Sequence, residues 1–416
     1  MTAYPRYSSG REHPANQGLD FSFDQNGIRE EVLRNYLSRA QNCNVFQNDF
    51  AYAEEDLAML YATGAKMVSR ADTPWWMGGF EYEKYPRIRE YLRRAHEYDP
   101  DLLFENCIFE CVYPEVGEIS VPPETFRAFG LPVEDRCFSY EAMLFPDGRF
   151  VNQWDGRGSV PDLTRLETQL WIYYRACLYI DLGFESIHFG QIMLMGKSDV
   201  GFVLFDRLIR MIREYARDHA RRGWVLVNAH MYDDRVAGTA RLICDFHMTP
   251  TRGMPPVGAV RHPPYDDAPQ EIELCVGHFD SVYLESVGGL TPSGWRTSSL
   301  PYLVELDNVG SYDKEWLDTP YRPKQTEWFK SGWWGFDEIS WFANQPDWYR
   351  RKWLRHAWHW IRHIGGHGYC QMPGHRQATL RSREDFSEIF LSQYLAHQVG
   401  DVETIRDIWL SDRRGE

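Results

Sequence analysis

What most constrains this chain is a rhythm: short apolar runs of strand character alternate with longer stretches of helical periodicity from about residue 41 to about residue 375. A strand, a helix and a second strand in close succession form the crossover unit of a parallel sheet. Asn44–Gln47, Ala53–Tyr61 and Lys66–Arg70 make the first unit, with Gly64 placed to end the helix in a left-handed conformation. Further strands are predicted at Leu102–Phe109, Glu185–Ile192, Val225–Asn228, Leu242–Phe246, Ser281–Glu285, Tyr302–Asp307 and Gly368–Gln371. Helices are predicted at 28–40, Tyr85–Tyr98, Leu166–Leu182, Asp199–Arg221, Trp348–Ile364 and Phe386–Val399, their apolar residues recurring at helical spacing.

No break in composition divides the chain. Alternation carried nearly to the end favours an α/β fold of one closed (β/α)8 barrel over an open doubly wound sheet. Nine strand candidates compete for eight places, so either Leu242–Phe246 or Ser281–Glu285 is expected outside the barrel. Residues 1–27 read as an N-terminal arm and 28–416 as the barrel domain. A Pro- and Gly-rich insertion follows the third strand at about 111–163, with a hairpin expected for Ala142–Phe145 against Arg149–Gln153. No G-x-G-x-x-G follows the first strand and no G-x-x-x-x-G-K-[ST] occurs, so a nucleotide-binding fold lacks its signature.

The formal net charge of −15 repels phosphate backbones and argues against a nucleic-acid partner. No apolar stretch is long enough to span a bilayer, and residues 1–25 carry no apolar core of a secretion signal, which points to the cytoplasm and away from a membrane. The eight cysteines form no C-x-x-C, and several lie in apolar runs, as buried reduced thiols do. Self-association into a homo-oligomer is left open.

In a (β/α)8 barrel the active site lies at the carboxyl ends of the strands, where positions i and i+2 share a face. Three strands end in polar-x-polar after an apolar start: Glu305 with Asp307, Asp245 with His247, and Asn228 with His230. Each such pair costs desolvation unless it is paired or wet. Arg70, His188, Gln191 and Glu285 occupy other strand ends, Glu105 lies within the third strand, and Glu110 lies just past it. Trp75, Trp76, Trp295, Trp333 and Trp334 sit in glycine-containing loops, a context that suits an aromatic-lined cleft better than a core. Indole faces stack on the C–H faces of sugar rings, and carboxylates, amides and histidines bind hydroxyls.

On these residues the chain resembles the glycoside hydrolases of the (β/α)8 type. The resemblance implies hydrolysis of a glycosidic bond by paired carboxyls, one protonating the leaving oxygen and one attacking or activating water. Glu305 matches, on a late strand, the position of a carboxylate nucleophile. The fourth strand departs from the Asn-Glu pair of the large clan of such enzymes, with Ile187-His188-Phe189-Gly190-Gln191 placing a glutamine where the acid would stand. The catalytic candidates are Glu305, Asp307, Asp245 and Glu105. The binding candidates for an oligosaccharide or glycoside are Arg70, Trp75, Trp76, His188, Gln191, Asn228, His230, His247, Glu285, Trp295, Trp333 and Trp334. No cofactor and no metal are expected on this reading. Two alternatives stand beside it: a metal-dependent hydrolase or sugar isomerase using ligands drawn from His188, His230, Asp245, His247 and Asp307, and a barrel that binds carbohydrate without turning it over.

Overall fold

The computed structural model describes residues 13–24, 26–47, 50–75, 77–78, 82–154, 156–250, 253–254, 273–274, 286–307, 339, 342–343, 345–363, 366–379, 386–389 and 401–412. These form an α/β fold built on parallel strands. One sheet runs β1 (Ala40–Asn42), β2 (Met67–Asp72), β3 (Leu103–Cys107), β4 (Ser186–His188) and β5 (Leu226–Asn228), each paired in parallel with the next. A second comprises β6 (His247–Pro250), β7 (Tyr302–Glu305) and β8 (Gly368–Cys370), with β7 between its neighbours and all parallel. Single parallel bridges join the two sheets at both sides, His230 to Met248 and Gln41 to Met372.

The long helices are α1 (Glu30–Leu37), α2 (Ala53–Thr63), α3 (Tyr85–Tyr98), α4 (Leu166–Leu182), α5 (Val203–His219), α6 (Asp347–His363) and α7 (Val402–Asp412). The left-handed Gly64 (φ 86°) ends α2, as its position after the last apolar turn implies. Helix α1 lies across the amino ends of the strands. Its Val32, Leu33, Tyr36 and Leu37 share one buried cluster with Ala40, Met67, Leu103, Leu226, Met248, Leu303 and Tyr369, drawn from both sheets. Helix α4 has no polar face, because the 111–163 segment covers the side turned away from the strands. Val116, Ile119, Phe126 and Phe138 pack there on Leu170, Trp171 and Tyr174.

Several expectations are corrected. The first strand is Ala40–Asn42, not Asn44–Gln47; the residues after it turn, with the Val45 N–H donating to the Cys43 carbonyl. A fully enclosed strand need not be apolar when its amides are paired, and Gln41 donates to the Pro373 carbonyl while Asn42 donates to Gln371. Leu242–Phe246 is not a strand; the strand starts at His247. The hairpin of 142–153 is absent. Tyr140–Met143 is a short helix capped by Ser139, and Leu144 bridges Pro161 instead. Phe386–Ile389 opens no helix but pairs antiparallel with Arg376–Thr379, and α7 has no counterpart in the sequence reading. Ser281–Glu285 lies outside the described residues. The described cysteines are all free thiols, five of them buried. Among the described residues no helix is long and apolar enough to cross a membrane.

The cluster under α1 predicts a stability effect that leaves the carboxyl ends untouched. Leu33 is fully buried there, and Leu33→Ala should cost about 2–5 kcal/mol through lost transfer energy and the cavity left behind. Calorimetry should show a lower unfolding temperature with an unchanged native circular-dichroism spectrum; an unchanged temperature would mean that the plug carries no load.

Candidate functional site

The side chains that alternate inward along the strands change character from one end to the other. Leu103 is followed on its face by Glu105 and Cys107, Leu226 by Asn228, and Leu303 by Glu305. Apolar strand starts meet α1, and polar strand ends meet one another. Glu105, Asn228, His188 and Glu305 are fully buried, so each needs a partner.

Arg70 supplies most of them. It sits in β2 where the β2–β3 register shifts, with φ of 54°, a left-handed conformation that costs a non-glycine residue roughly 1–2 kcal/mol. Its backbone N–H donates to Glu105 Oε1 at 3.3 Å. Its guanidinium crosses to β7 and grips Glu305 with two bonds, Nε to Oε2 at 2.8 Å and Nη2 to Oε1 at 2.6 Å. Nη2 also lies 2.9 Å from Asp307 Oδ1. His230 Nε2 approaches Glu305 Oε1 at 2.8 Å.

Asn228 links this pair to Glu105. Its Nδ2 donates to Glu105 Oε2 at 2.6 Å, which Ser186 Oγ also reaches at 2.8 Å. Its Oδ1 is therefore an acceptor and receives a hydrogen bond from His188 Nδ1–H at 2.7 Å. That fixes the His188 tautomer and leaves Nε2 facing the Arg70 guanidinium at 3.5 Å. Burial, with Arg70 and His230 nearby, holds the His188 pKa well below its ordinary value, so this ring is neutral.

The carboxyls in this cluster are driven apart. Burial alone would raise the Glu305 pKa, but Arg70 and His230 override it and bring it down to about 2. Burial raises Glu105 to about 7 against the opposing bonds from Ser186 and Asn228. Burial also raises Glu110, whose Oε2 accepts the Gln191 backbone N–H at 2.8 Å and whose Oε1 accepts Gln191 Nε2 at 3.3 Å. His230 and Asp307 lie within electrostatic range of it. Gly190 makes room: a Cβ there would stand 2.3 Å from Glu110 Oε2, and its φ is 50°.

Glu305, Asp307, Glu105, Arg70, His188, Asn228 and His230 are thus brought together, and Gln191 joins them through Glu110. Trp75 flanks them through aromatic contacts, its ring 5.2 Å from Phe109, which in turn lies under Arg70 and against His188. Other expected members are elsewhere. Asp245 precedes β6 instead of ending a strand, and it pairs with Arg213 at 2.7 Å and accepts the Val227 N–H beside the start of β5. His247 is the first residue of β6; its neighbour Met248 faces the α1 cluster, so His247 faces out, toward Asp234 and Ser286. Trp295 donates to the Ile28 carbonyl, at the α1 end. Trp76, Glu285, Trp333 and Trp334 lie outside the described residues.

Two residues escape the sequence reading as site members. Glu110 was visible only as an acid just past a strand. Arg376 is buried and donates to the Leu306 and Asp307 carbonyls at 3.3 Å each. No periodicity announces it, because it acts from a short strand beyond β8.

No protein-family model and no curated protein matches the chain. Among solved structures it is similar to two of the Nostoc punctiforme debranching enzyme. The native form matches at 11% identity and a TM-score of 0.30, covering 47% of this chain and 41% of that one, so this match spans less than half of that enzyme's length. The acarbose-soaked form matches at 10% identity and a TM-score of 0.39, covering 87% of this chain and 71% of that one.

The Arg70–Glu305 pair predicts a pH signature. A carboxyl whose pKa is depressed on folding adds stability above its unfolded value, and that stability is lost as pH falls toward the folded value. For Glu305 the window runs from about 4.5 down to about 2. Arg70→Ala leaves a buried carboxylate without its cation and should destabilise by about 3–5 kcal/mol at pH 7. The gap to the parent should shrink steadily as pH is lowered through this window in denaturant titrations. A gap independent of pH would mean that packing, not charge, is what Arg70 supplies.

Proposed function

We propose that the chain is a carbohydrate-active enzyme that hydrolyses a glycosidic bond at the carboxyl ends of a (β/α)8 barrel spanning residues 28–416, with residues 1–27 as an arm. Eight parallel strands in two sheets, bridged to each other at both sides and plugged by one helix at their amino ends, support the barrel reading. The observation that carries the activity is the split among neighbouring buried carboxyls. Glu305 is kept ionised by Arg70 and His230, while burial keeps Glu105 and Glu110 toward the neutral form. A carboxylate beside a carboxylic acid is the pair that glycoside hydrolysis needs.

On this reading Glu305 is the charged partner that attacks the anomeric carbon or stabilises its positive charge, and Glu110 is the acid that protonates the leaving oxygen. Glu105 is less suited to that role, since it lies within β3 and is held by three residues, Arg70, Ser186 and Asn228, whereas Glu110 lies past the end of the strand and accepts from Gln191. Asp307 and His230 bind hydroxyls, and Trp75 offers an apolar face. The metal-dependent alternative is disfavoured at this place. His230, Glu305 and Asp307 have ligand atoms within 4.8 Å of one another, but the Arg70 guanidinium already lies on all three.

Glu305→Gln should abolish release of reducing ends from an oligosaccharide pool while the protein stays folded. Glu110→Gln should lower kcat by about 10²–10⁴-fold on natural glycosides and far less on aryl glycosides whose leaving group needs no proton. Sugars that bind by calorimetry but are never cleaved by the parent would favour the non-catalytic alternative.

A further inference from the structure

We propose that Asp234, Cys244 and His247 form a zinc site that ties the β5–β6 connection to the outside of the strand wall. This site is separate from the carboxyl cluster and does not depend on the reading of its activity. The three side chains are buried, and their ligand atoms lie within 4.8 Å of one another. They come from three neighbouring places in the chain: the loop after β5, the segment just before β6, and the first residue of β6.

The geometry distinguishes this cluster from a hydrogen-bonded one. Asp234 Oδ1 and His247 Nε2 are 3.2 Å apart and interact electrostatically, but the contact is not an aligned hydrogen bond. Two donors that close, both buried and not aimed at each other, are placed as ligands of one ion are. In a tetrahedral zinc site with metal–ligand distances near 2.0–2.2 Å, neighbouring N and O ligands stand roughly 3.3 Å apart. The remaining groups orient the ligands. Asp234 Oδ2 accepts the backbone N–H groups of Ile243 at 2.8 Å and Cys244 at 2.5 Å, which turns Oδ1 toward His247. Ser286 Oγ lies 2.9 Å from His247 Nδ1 and can accept its proton, leaving the Nε2 lone pair for a metal.

Among the described residues two other groups have similar composition, and neither has this geometry. In Cys43, Asp56 and His375, His375 Nδ1 makes an aligned 2.8 Å bond to Asp56 Oδ2, as a simple hydrogen-bonded pair does. The His230 group is occupied by Arg70. Thiolate, imidazole and carboxylate together are a zinc donor set, leaving one further ligand to complete a tetrahedron. On binding, the Cys244 S–H bond breaks, the proton passes to solvent and the sulfur lone pair bonds the ion, with no redox change. Among residues 229–246 no helix links β5 to β6, unlike the connections before β2, β3, β4 and β5, so a metal would fasten a connection that helix packing does not.

The full chain, purified without chelators, should contain about one zinc per chain by mass spectrometry. Replacement with cobalt should give a sulfur-to-cobalt charge-transfer band and tetrahedral d–d bands. Cys244→Ser should lose the band and the zinc. Chelation should lower the unfolding temperature of the parent and leave that of His247→Gln unmoved, whereas His375→Gln should keep the metal. A folded parent that holds no zinc and takes up no cobalt overturns the proposal, and so does retention of zinc by both Cys244→Ser and His247→Gln. If neither variant folds, the parent's cobalt spectrum decides: without the sulfur band, Cys244 is not a ligand and the site is not there.

Discussion

A guanidinium can be buried only where acceptors surround it, and a carboxylate only where donors do. Arg70 and Glu305 meet both demands at once, two strands reaching across the interior to make a bidentate pair at 2.6 and 2.8 Å. Other polar contacts follow from that choice. Asp307 shares the same cation, His230 shares the same carboxylate, and the His188 ring takes the tautomer that turns its lone pair toward Arg70. Removing either member strands the other in a place without water, so the pair sets the local fold as well as the local charge. The left-handed backbone at Arg70 is what this arrangement costs: the strand yields its regular register so that one side chain can cross the interior.

The division between the two ends of the strands is equally physical. The amino ends turn apolar side chains toward α1, and hydrophobic burial there stabilises the assembly without demanding direction. The carboxyl ends are polar and must satisfy each group by geometry. The α1 cluster provides the stability that lets the other end hold a strained backbone and buried charges. The insertion plays a comparable part for α4, which buries both faces and so packs between the strands and the 111–163 segment.

The alternation of strands and helices was legible because period 2 and period 3.6 leave different traces. Leu166–Leu182, Tyr85–Tyr98 and the Gly64 stop all lie where the pattern puts them. The polar-x-polar strand endings likewise located Glu305, Asp307, Asn228 and His230. The same rule failed for Asp245 and His247 because β6 begins at His247, later than its apolar run implies, and a one-residue change of register turns a side chain to the other face. Ala40–Asn42 was missed because its amides are satisfied by partners more than three hundred residues away, which leave no local trace. Arg376 was hidden because it bonds the Leu306 and Asp307 carbonyls about seventy residues away, and the Asp234–His247 contact because it joins a loop to a strand start that no periodicity pairs. The loop tryptophans split. Trp75 reaches the flank of the site through Phe109, while Trp295 bonds at the opposite end, because glycine beside an indole marks a loop but not which loop.

Arg70, helped by His230, sets which carboxyl in the interior carries charge. Glu105 and Glu305 are both fully buried, and desolvation pushes both toward the neutral form. Arg70 touches both, but with different parts of itself. It offers Glu305 a full positive charge through two guanidinium bonds, whereas Glu105 takes its backbone N–H at 3.3 Å and feels the guanidinium charge without a direct bond to it. A neutral dipole at that distance cannot offset the loss of water, whereas a contact cation can. The pKa of Glu105 is consequently raised to about 7 while that of Glu305 is lowered to about 2, although they share a neighbour and an interior. Exchanging the two would require turning Arg70 around its own Cα. Arg70 makes both contacts from a left-handed backbone, φ 54°, at the point where the β2–β3 register shifts. Backbone geometry at a single position thus accompanies the electrostatic asymmetry at this end of the strands.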